Sequence, residues 1–169
     1  CWDSEKELFS DTPDKTSYSQ HANTFAMLAG AIDESDQALF MDRIIRNEQL
    51  IQASFYFRYY VHRAMVAAGL GNKYLEMLQP WQEMLDYGLT TFAETTDLSS
   101  TRSDCHAWSA SPLYELLATV AGIYPAETGF RYVFVEPHPG DLKWIKASVP
   151  HFRGAIESDL RFNGNKVNG

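Results

Sequence analysis

The segment TRSDCHAWSASP, residues 101–112, sets an acid, a thiol, an imidazole and an indole side by side, with a second acid, Glu94, upstream. A carboxylate can take or give a proton in a transition state, or activate a water. An imidazole can donate to a hydroxyl, and an indole can stack on an apolar C–H face. His106 and Trp108 together therefore suit a small polar ligand such as a sugar. Trp108 reads equally well as a core tryptophan beside a helix start. Asp104 and Arg102 read as braces of the loop, with Asp104 placed to cap the next turn or to accept from His106. Glu94 reads as an unpaired acid. Cys105 reads as a small buried hydrophobe. A Cys105–His106 catalytic pair is set aside, because neighbours in an extended loop point opposite ways.

The elements around this segment must position it. SYSQHANTFAMLAGAI carries Tyr18, His21, Phe25, Leu28 and Ile32 at helical spacing, which predicts an amphipathic helix with that stripe inward. Gln20, His21 and Asn23 on the same helix read as lining of a site or as satisfied core polars. DESDQALFMDRIIRN predicts a second helix, capped by Asp33 or Ser35. SFYFRYYVHRAMVAAGLG is apolar nearly all round and predicts a helix buried on most sides. NKYLEMLQPWQEMLDYG predicts a helix kinked or restarted at Pro80 and ended at Gly88. Residues 89–108 have no helical period and read as a long loop, the usual place for function. SPLYELLATVAGIYP predicts a helix with Ser111 as N-cap, Pro112 at its first position and a buried stripe of Leu113, Leu116, Leu117 and Val120.

After Pro125 the pattern turns to strands. GAIESDLRF alternates, with Ile156, Ser158, Leu160 and Phe162 on one face. Asn163-Gly164 is a hairpin signal close to the last residue, so the sheet is expected to be truncated. The opening CWDSEKELFSDTPDKT reads as a loop after a short helical turn. The break near Gly129 is a candidate boundary.

The 169 residues are 45% hydrophobic and 21% charged, enough for a packed core in one ordinary domain's length. Aromatics reach 14%. The net charge of −8, with no basic stripe, argues against nucleic acid and anionic membranes. No apolar run is long enough for a bilayer. The start is polar and lacks Met, which leaves the compartment open and predicts a chain processed or cut from something longer. Cys1 and Cys105 make no disulfide framework. The five histidines lack metal-ligand spacing, and there is no phosphate loop, so neither a metal nor a cofactor is expected.

SDCHAWSASPLYELLATVAGI resembles the bacterial α-L-rhamnosidases, a branch of the six-hairpin glycosidases. YSQHANTFAML, GLTTFAE and GFRYVFVEPHPGDL resemble further stretches of that family, in family order. The resemblance implies a mainly α fold: a helical-hairpin half of an (α/α)6 barrel in residues 1–127, then strands opening a C-terminal β-sandwich in residues 128–169. It implies inverting hydrolysis of terminal α-L-rhamnose, which takes an acid and a base about 6.5–9.5 Å apart. It places the general base at Glu94 and a sugar contact at His106, with Trp108, Phe92, Asp104 and His21 as further candidate contacts. Many members carry Trp where this chain has Ala93, and Phe92 is expected to supply part of that aromatic surface. The family's acidic segment with the general acid has no counterpart here, so the chain alone is expected to be inactive. A half barrel would also expose apolar faces and self-associate. Two other readings stay open: a non-catalytic sugar-binding or self-associating helical module, and a six-hairpin glycosidase of another sugar specificity.

Overall fold

The computed structural model describes residues 1–164 and 166–169. These contain five α-helices and short antiparallel strands, and they divide into two compact units: residues 1–70 with 80–111, and residues 71–79 with 112–169.

The first unit opens on a strand pair, β1 (Trp2–Asp3) and β2 (Leu8–Phe9), antiparallel with Trp2 opposite Phe9. This replaces the expected helical turn. The Asp3 carboxylate accepts from Glu5 N–H and from the Tyr18 hydroxyl, and Glu7 takes a left-handed conformation, so the chain reverses on itself. Helix α1 (Gln20–Leu28) follows, with the Ser19 hydroxyl accepting from Ala22 N–H as an N-cap. Its buried face is Gln20, Asn23, Thr24 and Met27, whereas Phe25 and Leu28 are exposed. The expected apolar stripe is thus turned outward. The reason is hydrogen bonding: Asn23 accepts from Phe9 N–H at 2.8 Å and donates to Phe9 and Ser19 carbonyls at 2.9 and 2.8 Å. Gln20 accepts from Ala53 N–H at 2.8 Å and donates to the Ile44 carbonyl at 3.3 Å. Both residues complete backbone groups that would otherwise be orphaned inside.

Helices α2 (Gln37–Arg46) and α3 (Phe55–Ala67) pack with α1 around a core that includes Met27, Phe40, Met41, Ile44, Phe57, Val61 and Ala64. Within α3, Phe55, Phe57, Val61, His62, Ala64 and Met65 are buried, while Tyr56 at its first turn is exposed. Burial first, then Arg58 and Arg63, pushes His62 down to a pKa of about 3. Helix α4 (Gln79–Asp86) restarts with Pro80 in its first turn, as expected, after a 3-10 stretch over Gly71–Leu78. Gly88, at φ +89°, ends it: the amides of Gly88 and Leu89 return to the carbonyls of Leu85 and Met84.

In the second unit, α5 (Ser111–Glu115) runs into a π-helical turn over Leu116–Val120. The wider turn re-phases the buried face to Pro112, Glu115, Ala118, Thr119 and Val120. Leu113 and Leu116 are exposed, contrary to the expected stripe, of which Val120 is buried. Strands β3 (Ile123–Pro125) and β4 (Val133–Val135) pair antiparallel. At Gly122 a side chain would meet the Glu136 carbonyl carbon at 2.1 Å, so only glycine lets that close backbone pass. Strands β5 (Trp144–His151), β6 (Gly154–Asn163) and β7 (Lys166–Asn168) form an antiparallel sheet. On β6 Ile156, Ser158, Leu160 and Phe162 are the less exposed face, as the alternation predicts, and the turn at Asn163-Gly164 returns the chain as β7.

Candidate functional site

The long stretch after α4 is an ordered hairpin. Glu94 N–H donates to the Ser103 carbonyl at 2.9 Å and His106 N–H to the Phe92 carbonyl at 2.7 Å. The Thr91 hydroxyl donates to the Asp104 carbonyl. Asp97 closes the tip, accepting from Ser99 N–H and from the Ser99 and Ser100 hydroxyls, which hold its carboxyl below the usual range. Ala93 is fully buried while Phe92 and Glu94 are half-buried. At the hairpin's end a 3-10 turn, Ala107–Ser109, begins at His106. The buried Trp81 indole of α4 donates to the Ser109 carbonyl at 2.7 Å and ties the turn down.

Glu94 is not an unpaired acid. Arg102 Nε and Nη2 donate to its two carboxylate oxygens at 3.0 and 2.7 Å, a bidentate pair across the hairpin. The Arg102 side chain is 81% exposed and that of Glu94 22%. Each carboxylate oxygen has a second lone pair, so the ionised acid can still accept from a water. Asp104 neither caps the turn nor binds the His106 ring; its carbonyl, not its exposed carboxylate, serves the hairpin. Cys105 is exposed rather than buried, and both cysteines are free thiols.

The structure brings His106 and Trp108 together, with ring centroids 6.1 Å apart. Trp108 is 66% exposed and not a core residue. Its ring lies 4.8 Å from Tyr56 at 36°, and Tyr56 meets Tyr60 edge-on at 6.2 Å. Sequence reasoning missed both tyrosines by reading α3 as buried on most sides; their i, i+4 spacing beside an exposed Trp is the signal that could have found them. His21 is half-buried on α1, packed at 4.1 Å against the Phe57 ring, and burial lowers its pKa. A cavity of about 600 Å³ in this unit lies elsewhere: it is walled by Trp2, Phe9, Phe40 and the Glu7–Arg43 ion pair and holds none of the expected site residues.

Residues 122–168 match the family model described as bacterial alpha-L-rhamnosidase C-terminal domain. The structure is similar to the GH78 family rhamnosidase of Bacillus sp. GL1, with a TM-score of 0.84 and 27% identity over 97% of this chain and 19% of that one. A rhamnosidase from Klebsiella oxytoca with rhamnose bound shares the fold at a TM-score of 0.60 and 22% identity, over 68% of this chain and 25% of that one. The chain thus spans a quarter or less of the rhamnosidases it resembles. No curated protein matches it. The five helices and antiparallel strands therefore match part of the architecture of the Bacillus rhamnosidase.

Proposed function

We propose that this chain is the C-terminal part of an inverting α-L-rhamnosidase: the last hairpins of an (α/α)6 barrel followed by the start of a β-sandwich. Glu94 is its general base and activates the water that attacks the anomeric carbon. Arg102 orients the carboxylate through its two parallel hydrogen bonds. His106 donates to a sugar hydroxyl and Trp108 offers an apolar face, with Phe92 beside the base; Asp104 and His21 are the outlying candidate contacts. The general acid is supplied from outside these residues. In this reading residues 1–127 belong to the barrel and residues 128–169 open the β-sandwich.

The observation that carries this reading is the likeness to the Bacillus rhamnosidase along 97% of the chain, with an acid fixed on an ordered hairpin beside an exposed His–Trp pair. The test joins this chain to the remaining length of the fold and measures hydrolysis of an aryl α-L-rhamnoside beside the Glu94→Gln form. Cleavage that falls about a thousandfold in the variant supports both assignments. Cleavage of a different glycoside keeps the fold and refutes the substrate. An active Glu94→Gln form refutes the base. The chain of 169 residues by itself is expected to be inert.

A further inference from the structure

We propose that the outer face of the sheet formed by β5, β6 and β7 is a binding surface for a neutral pyranose residue of an oligosaccharide, built on the Trp144 indole. Every group it uses lies in the second unit, outside the unit that carries Glu94, His106 and Trp108. It therefore stands apart from the site proposed above. The strand register sets the face: Trp144 stands opposite Arg161, Arg161 opposite Asn168, and Lys146 opposite Asp159. All five are exposed. The other face carries Ile145, Ile156 and Leu160, which are buried or half-buried. Sheets pack through their apolar side, so the Trp144 side is the one left to solvent.

Packing does not account for the indole. Trp144 is 49% exposed, and the residues that adjoin it across β6 and β7 are polar or charged. Its Nε1–H donates to Asp159 Oδ1 at 2.6 Å. That bond fixes the ring in advance and lowers the ordering cost of binding. The Arg161 guanidinium lies 5.8 Å from the ring centroid. This is wider than a stacking contact of about 3.5–4 Å, so the indole face is not sealed. An open indole face takes the apolar C–H face of a pyranose, and the hydroxyls at the sugar's edge need donors and acceptors. Asp159 keeps its second carboxylate oxygen for a hydroxyl. Arg161 forms no ion pair among the described residues, so its fork of donors is open, with Lys146 and Asn168 beside it. Charge then decides the class. Asp159 repels a carboxylated sugar and Arg161 an aminated one, which leaves a neutral ring. A protein partner would need a contiguous apolar patch, and β6 and β7 offer none next to the indole.

The test is a titration of the 169-residue chain with cellohexaose, maltohexaose and a galacturonic acid hexamer, read from the indole N–H signals of its four tryptophans in NMR. Trp144→Phe assigns the Trp144 signal by its loss. The proposal expects a neutral hexamer to move that signal saturably and the galacturonic acid hexamer to leave it in place. Trp144→Ala should weaken binding about tenfold, and Arg161→Ala about three- to tenfold. Trp144→Phe should retain most of the affinity, because the phenyl ring keeps an aromatic face and loses only the N–H. Circular dichroism checks that each variant is folded. A Trp144 signal unmoved by both neutral hexamers overturns the proposal, as does full affinity in Trp144→Ala or a stronger response to the acidic hexamer. A shift that grows with protein concentration without sugar overturns it in favour of a second copy of the chain. A shift confined to Trp108 overturns it too, and supports only the sugar contact on the hairpin.

Discussion

Two polar groups stand out in the first unit, and they differ in what their side chains bond to. Gln20 and Asn23 on α1 are 5% and 0% exposed, and their amides are consumed by backbone groups of Phe9, Ser19, Ile44 and Ala53. Glu94 and His106 on the hairpin after α4 are held by their backbone amides, and both residues are half-buried. The first pair is structural because its bonding capacity is filled from inside. The second can do chemistry because the backbone carries the positioning and the side chains are left to face a ligand or, for Glu94, an exposed arginine that solvent can replace.

The comparison breaks most sharply at Glu94. Glu94→Gln in the joined polypeptide is expected to lower kcat about a thousandfold, close to 4 kcal/mol in barrier, while the urea midpoint stays within about 0.5 kcal/mol. Asn23→Ala should do the opposite. It strands Phe9 N–H and takes the amide donor from the Phe9 carbonyl, and unpaired buried groups cost about 1–3 kcal/mol each, so a loss of about 2–4 kcal/mol of stability is expected. Chemical denaturation of both variants decides. If Glu94→Gln destabilises as much as Asn23→Ala, the two regions are not different in kind.

A third expectation concerns acid. His62 lies in the same interior and its pKa is about 3, well below the ordinary unfolded value of about 6.5. The unfolded chain therefore binds the proton first. The stability this residue contributes is fully present above about pH 6.5 and is lost as pH falls towards 3. Between pH 7 and pH 5 the loss is about 2 kcal/mol from this one group. Urea midpoints at the two pH values should show a drop that His62→Gln largely removes; an unchanged drop would assign acid lability to other groups.

The contrast also explains what the sequence made legible. Patterns set by the backbone itself were readable: the restart at Pro80, the stop at Gly88, the alternation on β6 and the turn at Asn163-Gly164 each follow from local sterics. The inward face of α1 was not, because hydrophobicity ranks Phe25 above Asn23, whereas the interior needed an amide for the β2 backbone. The π turn after Glu115 misled in the same way, since no 3.6 period survives it. At the candidate site the motif marked Glu94 and His106, but their surroundings came from pairings that only folding makes: Glu94 with Arg102, and Trp108 with Tyr56 of α3.

The smallest expected effect sharpens the comparison at Arg102. Its pair with Glu94 is bidentate, but an 81% exposed guanidinium is screened by water, and such pairs contribute about 0–1 kcal/mol. Arg102→Ala should therefore leave the denaturation midpoint nearly unchanged. A carboxylate free to rotate is less often aimed at its water, so kcat should fall about three- to tenfold. Arg102→Lys should recover little of that, because an ammonium cannot reproduce the two parallel bonds of the fork. High salt should weaken the native pair and reduce the difference between the native and Arg102→Ala forms. Unchanged kcat in Arg102→Ala would make the pair an accident of the surface, whereas a stability loss beyond about 1 kcal/mol would move Glu94 into the class of Asn23.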